Sequence, residues 1–312
     1  MIQLKAGMSG EYRCFLYDNE QDMNVIVDTG WHPNLIVNIG LDQYHTGNPF
    51  QRTYIGSGST PAVVTQVQMD TFEAESAIPG ISDGVLSGNA SAPDYEFSQI
   101  KSRRFAAGVG TTTIQEIAMG GSADNSGTLI FNRVVIAPIV KGATQVLDVL
   151  FRVTLWPPVI DVIGTVGTAS TVDGVPYETI TRCLNLDDNN GSTVYSSINP
   201  IGGASSFKAF DGNLGSITDV NPLGNQDNGD GGAGSDTGTY TPGDNFFDLN
   251  FDVGLDGWVL PSELIRTLRG AVRHFTFQTQ FGEDPDATGP AIPKTASDIM
   301  DFTWRISWDR KP

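Results

Sequence analysis

Val146-Leu147-Asp148-Val149-Leu150-Phe151-Arg152-Val153-Thr154-Leu155-Trp156 is followed at once by Pro157-Pro158. A run this rich in β-branched and aromatic side chains reads as one long strand. The proline pair ends it, because proline cannot donate to a sheet ladder and drives its predecessor out of the helical region. A cut at Trp156 to Val159 divides the chain into 1–157 and 158–312, each close to the roughly 150 residues expected of a domain. The same pattern returns near the C-terminus at an offset of 153 residues. Ile139, Lys141, Ala143, Asp148 and Arg152 recur as Ile292, Lys294, Ala296, Asp301 and Arg305. The strand Val149 to Thr154 then aligns with Phe302 to Ser307. This recurrence predicts that each half closes its own sheet with an equivalent long strand.

Outward from that strand, period-2 alternation dominates and helical periodicity is scarce. Strands are expected at Glu11 to Tyr17, Asn24 to Thr29, Asn34 to Val37, Ser98 to Ala106, Thr113 to Ala118 and Leu129 to Ala137. Each is bounded by Gly, Pro, Asn or Ser. Pro61 to Phe72 opens with a possible Thr60 cap and Pro61 in the first turn, but Val63-Val64-Thr65 is β-branched. A short helix or an irregular crossing segment fits it. Pro261 to Leu268 is a second short helix candidate. The fold class that follows is all-β: two antiparallel β-sandwich domains with short helical segments at most.

Composition narrows function. Gly at 36 and Pro at 17 make about 17% of the 312 residues, above the roughly 12% of average usage, which suits many turns. Lys and Arg total 18 against 36 Asp and Glu, a formal net charge of -18. Phosphate backbones and anionic membrane surfaces repel such a chain, so neither nucleic acid nor membrane insertion is expected. Lys101, Arg103 and Arg104 form the one basic cluster, expected on a solvated strand face. Cys14 and Cys183 lie 169 residues apart and read as inert free thiols, not a disulfide framework. The opening Met1 to Gly7 has no apolar core of a signal peptide, so synthesis in a cytoplasm without one is expected.

No catalytic constellation stands out. His32, His45 and His274 are the available imidazole bases, and none neighbours a nucleophile elbow. Gly56-Ser57-Gly58-Ser59 has the wrong spacing for one. Closely spaced Cys/His zinc ligands are absent, as is a phosphate-cradling Gly-x-x-x-x-Gly-Lys-Ser/Thr run. No enzyme activity, catalytic residue or cofactor is expected. The most biased segment lies between Lys208 and Arg266, where no basic residue occurs. Its Asn225 to Asp244 stretch is a Gly/Asp-rich loop carrying Asp227, Asp230, Asp236, Tyr240 and Asp244. Self-repulsion and glycine entropy predict an exposed loop facing a partner, a receptor or a hard cation such as Ca2+ at the distal rim of the second domain. For a carbohydrate-binding sandwich, the aromatic candidates are Trp31, Tyr44, Tyr240 and Trp258.

The order of short motifs is informative as well. Leu4-Lys5-Ala6-Gly7, Gly10-Glu11-Tyr12-Arg13, Asp28-Thr29-Gly30-Trp31 and Ile55 to Pro61 precede Phe131-Asn132-Arg133 and Leu155-Trp156-Pro157-Pro158. Asp161 to Val166, Pro290 to Thr295 and Arg305 to Arg310 follow. This series resembles the tail-tip and tail-fibre structural proteins of long-tailed bacteriophages. The resemblance implies a non-enzymatic virion protein of the tail tip or fibre base. It also implies a homo-oligomer, a trimer by family analogy, in contact with other phage tail proteins and with a host surface glycan or receptor. A capsid decoration or collar protein, and a stand-alone carbohydrate-binding module, are the alternatives.

Overall fold

The fold was analysed in a computed structural model. It describes residues 2–46, 49–89, 96–121, 127–156, 162–166, 177–184, 206–214, 222–226, 235–236, 243–253, 260, 264–272, 275–281, 291–293 and 300–311. The elements in chain order begin with β1 (Ile2–Tyr17), β2 (Val25–Asp28), β3 (His32–Ile36), α1 (Asn38–Thr46), β4 (Arg52–Gly56), β5 (Phe72–Ser76) and β6 (Leu86–Asn89). Then come β7 (Glu96–Phe105), β8 (Thr113–Gly120), β9 (Ile130–Val140), β10 (Val146–Trp156), β11 (Val162–Val166), β12 (Tyr177–Leu184) and β13 (Ser206–Phe210). The chain finishes with β14 (Ser235–Asp236), β15 (Phe246–Val253), β16 (Leu264–Ile265), β17 (Thr267–Val272), β18 (Phe275–Phe281), β19 (Ile292–Pro293) and β20 (Met300–Arg310).

The protein is mostly strand, built on a large, curled, largely antiparallel sheet. Its axis is β1. On one side, Gly7 to Tyr17 pairs with β10 over its whole length. On the other side, β1 changes partner along its run: β20 over Ile2 to Met8, in parallel, then β3 over Gly10 to Tyr12 and β2 over Phe15 to Tyr17. Period-2 alternation sets the faces: Met8, Tyr12, Cys14 and Leu16 point into the core, while Glu11, Arg13 and Phe15 lie half-buried on the other face. From β3 the ladder continues through β9, β8, β4 and β5. From β10 it continues through β7 to β6. The two arms approach each other again where Ser76 Oγ donates to the Arg104 carbonyl at 2.6 Å and Arg103 reaches the Phe50 and Gln51 carbonyls. The main core fills the curl.

The long strand anticipated at 146–156 has those bounds in the structure. Its C-terminal counterpart is β20, and both lie against β1 in one sheet, β10 antiparallel and β20 parallel. Strands from both sides of the Trp156 to Val159 cut therefore share this sheet, since β15 extends it beyond β20. Residues 157–161 lie outside the described residues. The repeated arginine does the same work twice. Arg152 pairs with Glu11 directly across the β1–β10 ladder and lies 4.6 Å over the Trp31 ring. Arg305 pairs with Asp248 across the β15–β20 ladder at 2.7 Å and lies 3.6 Å over Phe246. A second, five-stranded sheet runs β11-β12-β18-β17-β13. Phe277 on β18 packs against Trp304 on β20, with ring centroids 5.7 Å apart, so the two sheets share apolar contact.

The structure decides three local points. The stretch 61–71 forms no helix; it is an irregular crossing segment, as its β-branched run and its tertiary anchors dictate. Leu264 to Leu268 is strand, not helix: Leu264–Ile265 pairs with β19, and Thr267 and Leu268 pair with both β13 and β18. Ladder formation there outweighs a weak helical start signal. The one helix among the described residues, α1, leaves little mark in the sequence, because it is nine residues long and carries a glycine. Gly40 is what lets it dock, since a Cβ there would sit 2.0 Å from the Phe131 carbonyl oxygen. Leu41 and Tyr44, three residues apart, then face inward. No helix among the described residues is long and apolar enough to cross a membrane.

Candidate functional site

Two ends of the acidic loop are tied down. At its start, Asn225 N donates to Asp211 Oδ1 at 2.6 Å and Asn225 Nδ2 to Asp211 Oδ2 at 2.9 Å. Further on, Ser235–Asp236 adds a two-residue edge strand to β15, with Asp236 opposite Leu249. At its end, Gly243 N donates to Asp42 Oδ1 on α1 at 2.7 Å, and Asp244 is exposed. Asp244 also helps hold the Arg305 guanidinium protonated, after the hydrogen bond that Arg305 donates to Asp248, which has the larger effect. Asp227, Asp230 and Tyr240 lie outside the described residues. Among the described residues no group of three metal-ligating side chains converges. The anchored ends thus belong to the sheet edge and to α1.

The aromatic candidates separate. Tyr44 is fully buried, edge-on to Phe50 at 6.4 Å and to Trp308 at 5.8 Å. It is a core residue, and desolvation raises its phenol pKa. Trp31 is half-buried under Arg152. Next to it, exposed His32 stacks on Tyr12 at 5.5 Å and places Nε2 2.6 Å from the Thr29 carbonyl oxygen. Trp258 and His274 lie outside the described residues.

The basic cluster is not a solvated face. Arg103 lies 2.8 Å from Asp83. Arg104 makes a two-pronged contact to Asp148 at 2.8 and 2.7 Å, and burial lowers the Lys101 ammonium pKa. The Asp148 side chain is wholly buried and also accepts the Ile81 N–H at 3.3 Å. Tyr17 contacts the same carboxylate, and burial together with that negative charge pushes its phenol up to about 12. Gly80 passes close by, since a Cβ there would meet Ser102 Oγ at 2.4 Å and Asp148 Oδ1 at 2.9 Å. These arginines pin the segment 78–85 to β7 and β10.

A second, deeper knot went unseen in the sequence. Glu116 on β8 and Arg133 on β9 are both fully buried, with Arg133 Nε donating to Glu116 Oε2 at 2.7 Å. Glu116 Oε1 accepts Thr71 N at 2.7 Å and Gly58 N at 3.1 Å, and Oε2 accepts Asp70 N at 3.1 Å. Arg133 Nη1 donates to the Thr60 carbonyl and to Gln66 Oε1, both at 2.9 Å, and Nη2 lies 3.0 Å from Asp70 Oδ2. Every partner except the Arg–Glu pair itself belongs to the crossing segment 57–71. The signal in the sequence was Gly56-Ser57-Gly58. A Cβ at Gly56 or Gly58 would come within 2.6 or 2.4 Å of Glu116 Oε1, so the glycines exist for close approach to a carboxylate, not for a nucleophile. Arg133, in the Phe131-Asn132-Arg133 motif, is the other half.

The knot holds a surface in place. Of residues 59–68, all but Ala62 and Gln66 are exposed, among them Val63 at 53%, Val64 at 40% and Val67 at 48%. Gln68 bridges to Thr128 in antiparallel sense, which sets Val67 opposite Leu129, itself 46% exposed. Leu129 holds a φ of +54°, a left-handed conformation that leucine rarely adopts. Comparison with known proteins adds no template: no family model, curated protein or solved structure matches the chain.

Proposed function

We propose that this chain is a non-enzymatic structural protein of a tailed-phage virion, placed at the tail tip or fibre base and working as a homo-oligomer. The phage assignment rests on the series of short motifs. The observation that carries the architectural part is how the buried charges are used. Arg133–Glu116, with both side chains buried, and Arg104–Asp148, with its carboxylate buried and its guanidinium partly exposed, each bind the backbone of an irregular surface segment. Buried ion pairs are weak contributors to net stability, and fixing one geometry is their best-attested use. Here they fix loops that show aliphatic side chains to the outside: Val63, Val64 and Val67 on one, Ile78, Ile81 and Val85 on the other. A protein whose work is to present shaped surface to neighbours needs such rigid loops.

The division into two sandwich units, 1–157 and 158–312, is part of the same proposal, with β14, β15 and β20 returning from the second half to the sheet of the first. Mass spectrometry and immunogold labelling of purified particles test the assignment. The chain is expected in particles, in multiple copies, and at the tail; label on the head would move it to a decoration or collar role. Its absence from particles overturns the proposal. Trp31 beside Arg152, Glu11 and exposed His32 favours the carbohydrate-binding module as second reading, and glycan-array binding by the soluble monomer would select it.

A further inference from the structure

We propose that the ridge formed by residues 59–68 and Leu129 is the surface through which copies of this chain meet, an inference that takes the homo-oligomer of the proposed function as its premise. Three observations lead there. First, the ridge is apolar and open. Val63, Val64, Val67 and Leu129 are between 40% and 53% exposed, and the ladder register places Val67 and Leu129 side by side. Its exposed neighbours Ser59, Thr60, Pro61, Thr65 and Gln68 are uncharged, so the open surface is continuous and neutral, as the core of an interface requires.

Second, the ridge is rigid before anything binds. Arg133 holds the Thr60 carbonyl and Gln66, and Asp70 Oδ2 accepts Thr60 N. The Val64 carbonyl accepts Asn38 N at 2.7 Å and the Val67 carbonyl accepts Ile130 N at 3.4 Å. Little backbone freedom remains to be lost on association. Leu129 makes the same point. A surface that only met water would place Gly or Asn at φ +54°, yet a leucine stands there with its side chain outside.

Third, charge selects the partner. The chain carries a net charge of -18, yet residues 53–69 include no charged side chain. The nearest acid, Asp70, lies 3.0 Å from Arg133. A cationic partner would be drawn to the acidic faces and gain nothing from a neutral one. A neutral apolar face is what a partner of the same sign requires, and a second copy always has the same sign.

Sedimentation velocity on the full chain tests this from about 1 to about 100 µM. The wild type is expected to self-associate. The triple variant Val64→Asp, Val67→Asp, Leu129→Asp is expected to weaken association at least about 100-fold, by bringing like charges together on a desolvated face. The substituted side chains are exposed, so far-UV circular dichroism and the melting temperature should be kept, and the same measurements exclude misfolding. Val25→Asp with Ile26→Asp, on the equally exposed β2, should leave association unchanged. A wild type that stays monomeric up to about 100 µM, or a folded triple variant that associates like wild type, overturns the inference. The phage assignment fails separately. A chain absent from particles but dissociated by the triple variant sinks that assignment alone, and a chain present in particles whose triple variant still associates sinks this inference alone.

Discussion

Replacing Glu116 by leucine removes the acceptor of four donors: Thr71 N and Arg133 Nε at 2.7 Å, and Gly58 N and Asp70 N at 3.1 Å. Arg133 is then left fully buried with Asp70 as its remaining carboxylate contact. Leaving one member of a buried pair uncompensated costs about 3–5 kcal/mol. The three amides add to this, but their segment lies at the surface and can relax toward water, so we expect a total of about 4 kcal/mol. Arg133→Met is expected to cost clearly less, because the carboxylate keeps its three backbone N–H donors. The pair variant should cost less than the sum of the singles, since no lone charge stays inside. Urea unfolding of the four proteins measures these differences. A total of about 4 kcal/mol is a large share of the 5–15 kcal/mol typical of a folded protein, so the effect is well above error. Glu116→Leu within about 1 kcal/mol of wild type, or Arg133→Met costing more than Glu116→Leu, would refute the account of the knot as a carboxylate-centred staple. Limited proteolysis between 59 and 68 should rise in parallel in the Glu116 variant.

Three other outcomes are expected. The hydrogen bond from Arg13, helped by Gly30 N, holds the Asp28 carboxyl down at about 2; since its folded value lies below the unfolded one, its contribution is present above about pH 4 and is lost as the pH falls through about 2. An NMR titration midpoint near the ordinary aspartate value would contradict this. Burial pushes the Cys14 thiol up to about 12, so its contribution is full below about pH 9 and is lost as the pH rises toward 12; a thiol reagent at pH 8 should modify Cys14 only after unfolding, and rapid labelling of the folded chain would count against it. A fragment spanning 1–157 lacks β20, hence buried Trp304 and Trp308, whose Nε1 donates to the Leu41 carbonyl at 2.9 Å. Losing even one such side chain costs about 3–5 kcal/mol, so the fragment should show no cooperative melt by calorimetry, and a sharp transition from the fragment alone would disprove the dependence.

The strands were legible in the sequence because alternation is a local property. A residue's face follows from its neighbours two positions away, and β10 could be delimited from its β-branched run and the proline pair alone. The recurrence of Arg152 as Arg305 was legible too, but not that each pairs across a ladder, nor that β10 and β20 flank one strand, β1, instead of closing separate sheets. Strand partners were not legible. That β20 lies beside β1, with 282 residues between the two strands in the chain, depends on which apolar faces can close one core. The helix α1 was missed since nine residues with a glycine carry little intrinsic helical preference; docking against β9 decides it. The same limit hid the site. Gly56, Glu116 and Arg133 look unrelated along the chain, and the basic Arg103-Arg104 pair looks like a solvated face. Each charge is stabilised only by partners that the curl of the sheet brings to it, so burial turned ordinary surface residues into the staples that shape the exposed loops. What local alternation determined was the class of the protein and its strands; what the tertiary structure decided was which charges are inside, and therefore which surface is held ready outside.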